Sequence, residues 1–194
     1  MTQESSKPGA GVATSAGDGV AALAGTGAGS SLPAPAPAAA IDTTLDPHSA
    51  AAIATLLPAA QRAARRLLAA ANDGRLGPGV AVKIICGTRT YAEQTALYAQ
   101  GRTTPGPIVT DAPAGYSNHN FGIAFDVGIF IGGEYQDDSP LYAKVGTLGR
   151  SQGLEWGGDW DSFPDEPHFQ LAYPGTLAEA RALVAAGVWG KRWS

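Results

Sequence analysis

Two short strings in this chain carry nearly all the residue types needed to hold a metal ion and move a proton. The first reads Ser117-Asn118-His119-Asn120-Phe121-Gly122-Ile123-Ala124-Phe125-Asp126, and the second Asp165-Glu166-Pro167-His168-Phe169-Gln170. They contain two of the three histidines; the third, His48, falls in the first turn of an expected helix and reads as a surface residue. Zinc takes imidazole nitrogen and carboxylate oxygen at about 2.0–2.2 Å, and its catalytic sites use three such ligands with water in the fourth position. His119, Asp126 and His168 supply that set. A carboxylate three residues before the second histidine, Asp165, is placed to take a proton from the water. From spacing alone, ordinary surface or core roles stay open for all of them.

Such a site imposes a condition on the backbone. His119 and Asp126 are seven residues apart, an odd offset, so in one regular strand they would face opposite sides of a sheet. Either the chain bends between them or His119 precedes the strand, and Gly122 is the natural place for the irregularity.

The elements that must position these residues follow from local patterns. Asp46-Pro47 signals a helix start, and the helical stretch to about Asn72 is expected to split at Pro58. A loop rich in Gly and Pro leads to Val80–Cys86, an apolar run that reads as a buried strand. Thr90 and Glu93 form a capping-box pattern that opens a short helix to about Gln100. The loop from Gly101 to Ser117 is long enough to suggest a functional role. Phe121 to Ile131 reads as a strand, Leu141 to Gln152 as a helix, and Leu154–Trp156 and His168–Leu171 as short strands. A second capping box at Thr176 and Glu179 opens a last helix that ends near Gly187. Helices flanking a modest sheet indicate an α+β domain.

Composition narrows the function classes. The chain has 194 residues, 44% of them hydrophobic and 15% charged, with a formal net charge of -4. That suits one folded domain, expected over residues 41–194, preceded by a disordered Gly/Ala/Pro-rich tail or linker over 1–40. No cationic stripe suits nucleic acid, and no apolar run approaches the roughly 20 residues of a membrane span. A convincing secretory signal is also missing. The single cysteine, Cys86, sits in the apolar run of the first strand and reads as a small buried hydrophobe with no base nearby.

The two strings resemble the zinc family of D-alanyl-D-alanine carboxypeptidases and L-alanyl-D-glutamate endopeptidases, and within it the branch that includes phage endolysins. The shared pattern is Ser-x-His-x-x-Gly-x-Ala-x-Asp at Ser117–Asp126 followed by Asp-x-x-His at Asp165–His168. Three further strings support it: Gly87-Thr88-Arg89-Thr90 leading to Glu93-Gln94, Leu97 to Thr103, and Gly153 to Trp160. The resemblance implies a small antiparallel sheet flanked by helices, of the Hedgehog/DD-peptidase-like kind. It implies one Zn2+ on His119, Asp126 and His168, with Asp165 as the catalytic carboxylate and Glu166 as its rival. Arg89 is expected to act on substrate or transition state; Gln94 and Ser117 are expected to contact substrate. Trp156, Trp160 and Tyr116 are candidates for either cleft or core.

The implied substrate is a peptidoglycan stem peptide cut at the L-alanyl-D-glutamate bond. The alternatives are D-alanyl-D-alanine carboxypeptidase or dipeptidase activity, or a non-catalytic module that binds wall peptide. A monomer is expected, made in the cytoplasm and acting in the periplasm or cell wall after release by a holin or export by another route.

Overall fold

The computed structural model describes residues 45–193; the tail expected over 1–40 lies outside them. The first helix, α1 (Pro47–Ala54), starts at Asp46, whose carboxylate accepts the Ser49 backbone N–H at 3.1 Å. The Ser49 hydroxyl donates back to Asp46 at 2.6 Å and accepts from the Ile84 N–H at 2.9 Å. One cap therefore also ties the helix to the sheet. Pro58 opens α2 (Pro58–Ala71), and the split expected there is present. Ala60, Ala63, Ala64, Leu67, Leu68 and Ala71 form the buried stripe of α2.

The strands are β1 (Val80–Cys86), β2 (Ala124–Ile131), β3 (Glu134–Gln136), β4 (Leu154–Trp156) and β5 (His168–Leu171). Between β1 and β2 lies α3 (Tyr91–Ala99), capped by the reciprocal Thr90–Glu93 pair. Helix α4 (Leu141–Ser151) precedes β4, and α5 (Leu177–Ala185) follows β5 behind its own capping box at Thr176. All pairings are antiparallel, in the order β1-β2-β5-β4. β3 joins β2 through the two-residue turn Gly132-Gly133, whose φ angles are 60° and 93°. Both central positions lie in the left-handed region that glycine tolerates, which fits a tight hairpin. That strand was not expected. Its three residues show no apolar alternation, and the Gly-Gly pair was the one signal for it.

One face of the sheet builds the core. Val82, Ile84, Phe125, Val127, Ile129 and Phe169 are buried there with Leu67, Tyr142 and Val145 from the helices. Helix α4 lies very close: a Cβ at Gly146 would sit 2.4 Å from the Trp156 ring, and one at Gly149 2.4 Å from the Phe169 ring. A smaller cluster forms from Phe121, Ile123, Ala180 and Trp189 beside α5. β2 begins at Ala124 rather than Phe121, because Asn118–Phe121 forms a 3-10 turn that ends at Gly122 with φ +68°.

Candidate metal centre

Asp126 occupies the middle of a row that crosses the sheet, paired with Cys86 on β1 and His168 on β5. Its neighbours Phe125 and Val127 are fully buried in the core, so alternation sends the Asp126 side chain to the opposite face. His119 reaches the same point from outside the strand. The Ser117 hydroxyl accepts from the His119 N–H at 3.4 Å, and Gly122 reverses the chain before β2 begins. The condition set by the odd offset is met: His119 precedes the strand and Gly122 carries the irregularity.

Three ligand atoms converge there. His119 Nε2 lies 3.1 Å from Asp126 Oδ1 and 3.1 Å from His168 Nδ1, and His168 Nδ1 lies 3.3 Å from Asp126 Oδ1. Atoms about 2.0–2.1 Å from one tetrahedral ion stand about 3.3–3.4 Å apart, so the spacing fits a small cation. The hydrogen bonds behind each ring sharpen this. The Gly87 carbonyl can only accept, so His119 Nδ1 donates to it at 2.8 Å and leaves the Nε2 lone pair facing the cluster. His168 Nε2 faces Gln170 Oε1 at 2.9 Å and donates to it, leaving Nδ1 free on the cluster side. Two imidazole lone pairs and a carboxylate oxygen therefore meet at one point and need a shared cation.

The electrostatics agree. Burial disfavours a charged His119, but the Asp126 carboxylate outweighs it and pushes the histidine up to about 10. Burial opposes the charged form of Asp126 too, yet His119 and His168 hold it well below the usual carboxylate range. With no metal, a proton takes the cation's place in this cluster.

Asp165 lies beside the cluster, with a carboxylate oxygen within 4.8 Å of ligand atoms on Asp126 and His168. Burial and, after it, the charge of Asp126 raise its pKa. Its backbone is pinned where Asp165 N–H donates to Gly157 O at 3.0 Å and Asp165 O accepts from His168 N–H at 3.1 Å. Gly157 is required here for space: a Cβ on it would come 2.4 Å from Asp165 O and 2.9 Å from His168 Cβ. Glu166 does not line the cleft, and its carbonyl accepts from the Trp156 indole N–H at 2.7 Å.

Arg89 stands on the other side, its side chain 16% exposed. Its guanidinium donates to Gln94 Oε1 at 2.8 Å and to Cys86 Sγ at 3.3 Å, and lies 3.5 Å from Asp126 Oδ2. Gln94 is fully buried and donates to the Ala112 carbonyl at 2.7 Å. It thus braces Arg89 and the loop without lining the cleft. Ser117 does line it.

Cys86 is not the buried hydrophobe expected of it. The β1–β2 register shifts between Ile84 and Cys86, so Ile85 and Cys86 together oppose Asp126. Val82 and Ile84 face the core, and regular alternation would send Cys86 there as well. The bulge turns it to the face that carries Asp126 and His119 instead, half-buried, with Sγ 3.9 Å from His119 Nδ1. It forms a second possible metal-binding group with His119 and Asp126.

The cleft over this cluster has a volume of about 490 Å³. Val109, Tyr116, Trp160 and Phe163 line it with 38–52% of their surface exposed, while Trp156 belongs to the core. The Trp160 ring centroid lies 4.9 Å from that of His168. Gly87, Gln170 and Gly157 fall within the quoted strings but were given no individual role there. Their roles depend on a carbonyl direction, an amide orientation and a close approach that no side-chain type announces.

The chain is similar to known proteins. Two family models, both described as D-alanyl-D-alanine carboxypeptidase, match residues 110–171 and 54–139. The peptidoglycan L-alanyl-D-glutamate endopeptidase CwlK of Bacillus subtilis (strain 168) is 40% identical over 113 residues, covering 53% of this chain. The match spans 65% of the length of that relative. Among solved structures, the L-Ala D-Glu endopeptidase ChiX of Serratia marcescens matches with a TM-score of 0.50 and 25% identity, over 65% of this chain and 87% of its own.

Proposed function

As a relative of the D-alanyl-D-alanine carboxypeptidase and L-alanyl-D-glutamate endopeptidase family, this chain is, we propose, a single-zinc peptidase that cuts the L-alanyl-D-glutamate bond of peptidoglycan stem peptides. The observation that carries the reading is the convergence of His119 Nε2, His168 Nδ1 and Asp126 Oδ1 within 3.1–3.3 Å beside Asp165. The choice of bond rests on the two relatives named as L-alanyl-D-glutamate endopeptidases.

His119, Asp126 and His168 would hold the metal. When bound, zinc supplies Lewis acidity and brings the pKa of water toward neutrality. Asp165 accepts the proton of the attacking water and hands a proton to the leaving amine. Its raised pKa suits that exchange, since a carboxylate that binds protons more readily is the better base. Arg89 meets a substrate carboxylate or the developing oxyanion with a guanidinium already oriented by Gln94. Ser117 offers a hydroxyl at the cleft wall. Residues 41–194 would form the catalytic domain and 1–40 a tether.

Among the described residues no helix is long and apolar enough to cross a membrane. The substrate sets the site of action in the periplasm or cell wall, reached by holin release or another export route. We take the working form to be a monomer.

The second reading, D-alanyl-D-alanine carboxypeptidase or dipeptidase activity, is favoured by the description of both family models. Digestion of purified muropeptides followed by mass spectrometry separates the two. New N-terminal glutamate is the expected product. Released D-alanine with intact L-alanyl-D-glutamate bonds would overturn the choice of bond, and no product at all would favour a non-catalytic wall-binding module.

A further inference from the structure

His168 and Gln170 sit two residues apart on β5, so their side chains share one face of the sheet. Gln170 is 8% exposed, and only one orientation of its amide satisfies its neighbours. Its Nε2 donates to Glu155 Oε2 at 2.6 Å, and a carboxylate at that position can only accept. Its Oε1 accepts from Asn118 Nδ2 at 2.7 Å. Glu155 is the direct partner of Gln170 in the β4–β5 ladder, so the sheet register itself brings these two groups together.

The consequence reaches the cluster through His168. With Oε1 held toward the ring, His168 Nε2 must carry the proton that makes the 2.9 Å bond. Its Nδ1 lone pair then points at Asp126 and His119. If the Gln170 amide turned over, an NH2 group would face Nε2, the imidazole proton would move to Nδ1, and the position facing a metal would be blocked.

We propose that Glu155 and Gln170 form a positioning relay in which the exposed carboxylate locks the amide, and the amide fixes the tautomer and ring orientation of His168. This rests on the reading of His119, Asp126 and His168 as metal ligands. Neither relay residue touches the reacting atoms; both act through His168. Groups that orient a metal-bound histidine in this way are worth about 10–100-fold in metal affinity.

The test uses the full chain and reads zinc affinity by competition with a chelator. Long-range proton–nitrogen NMR reads the His168 tautomer alongside it. Gln170→Leu is expected to weaken zinc binding about 10–100-fold. Glu155→Leu, at an exposed site where no core is disturbed, weakens it by a smaller factor and gives a mixture of His168 tautomers. Glu155→Gln, whose amide oxygen still accepts a hydrogen bond, restores most of the affinity. Because Glu155 acts through Gln170, adding Glu155→Leu to Gln170→Leu should have no further effect.

Zinc affinity of Gln170→Leu equal to wild type, with wild type binding normally, would overturn the relay alone. So would a Glu155→Leu effect that persists in the Gln170→Leu background. Failure of the wild-type chain to bind zinc would overturn the metal reading and the relay together.

Discussion

The floor and the walls of the cleft are built in opposite ways. On the floor, Asp126 and His168 are direct partners in an antiparallel ladder, and His119 is held by the Gly87 carbonyl and the Ser117 cap. Each donor atom there is fixed by register or by a hydrogen bond to a buried group. The walls come from the segments around Val109–Tyr116 and Trp160–Phe163, with aromatic and aliphatic side chains that stay well exposed. The groups proposed for chemistry are thus fixed by sheet register or by hydrogen bonds to the backbone, while the proposed recognition surface consists of exposed side chains that can vary. Floor substitutions should therefore change turnover and metal binding, and wall substitutions should change substrate affinity.

Asp165→Asn should have the largest effect. Removing the proposed general base is expected to lower kcat by about 10²–10⁴-fold, with zinc content unchanged. Cleavage at wild-type rate would break the assignment of this residue.

Gly157→Ala comes next. Its Cβ would overlap Asp165 O and crowd His168, displacing the proposed base and a proposed ligand together. A shift of about 1 Å in such groups costs on the order of 100-fold in rate. Thermal melts should fall as well, and an unchanged rate would show that the floor is more compliant than its packing indicates.

The charge state of the floor gives a pH dependence. Zinc needs the Nε2 lone pair of His119, which in the metal-free chain is protonated up to about pH 10. Binding near neutrality should therefore release a proton, and apparent affinity should rise by about tenfold per pH unit, measured by calorimetry in buffers of different ionisation enthalpy. The same raised pKa has a defined sign for stability without metal. The His119–Asp126 pairing contributes fully below about pH 6.5, the ordinary histidine value, and is lost as pH rises through about 10. Melts in excess chelator that do not fall over that range would contradict the charged pair.

Trp160→Ala is the mildest of the four. As a wall residue with 38% exposure, it should raise KM severalfold and leave kcat within about threefold. Because its ring also rests on His168, a fall in zinc affinity larger than the change in KM would blur the division between wall and floor.

The sequence was most legible where a single residue type carries the physics. Pro58, the two capping boxes and the apolar run at Val80 located their elements to within a residue or two. Gly122 was legible for a different reason: two residues needed on one side stood at an odd offset. Cys86 was misread because parity along β1 holds only until the bulge at Ile85, and a bulge depends on pairing with another strand. Gln94 was expected to touch substrate, yet its amide is consumed by Arg89 and Ala112, which only tertiary packing brings near. The pairing of Glu155 with Gln170 was invisible for the same reason: fifteen residues separate them along the chain, and the β4–β5 register alone makes them partners.

The proposed function stands or falls with one zinc ion held by His119, Asp126 and His168. Metal analysis of the purified chain, beside the single variants His119→Ala, Asp126→Ala and His168→Ala, tests it directly. The account predicts one zinc per wild-type chain and loss of stoichiometric zinc in each variant. A folded wild-type chain that holds no zinc, or variants that retain it fully, would contradict the account.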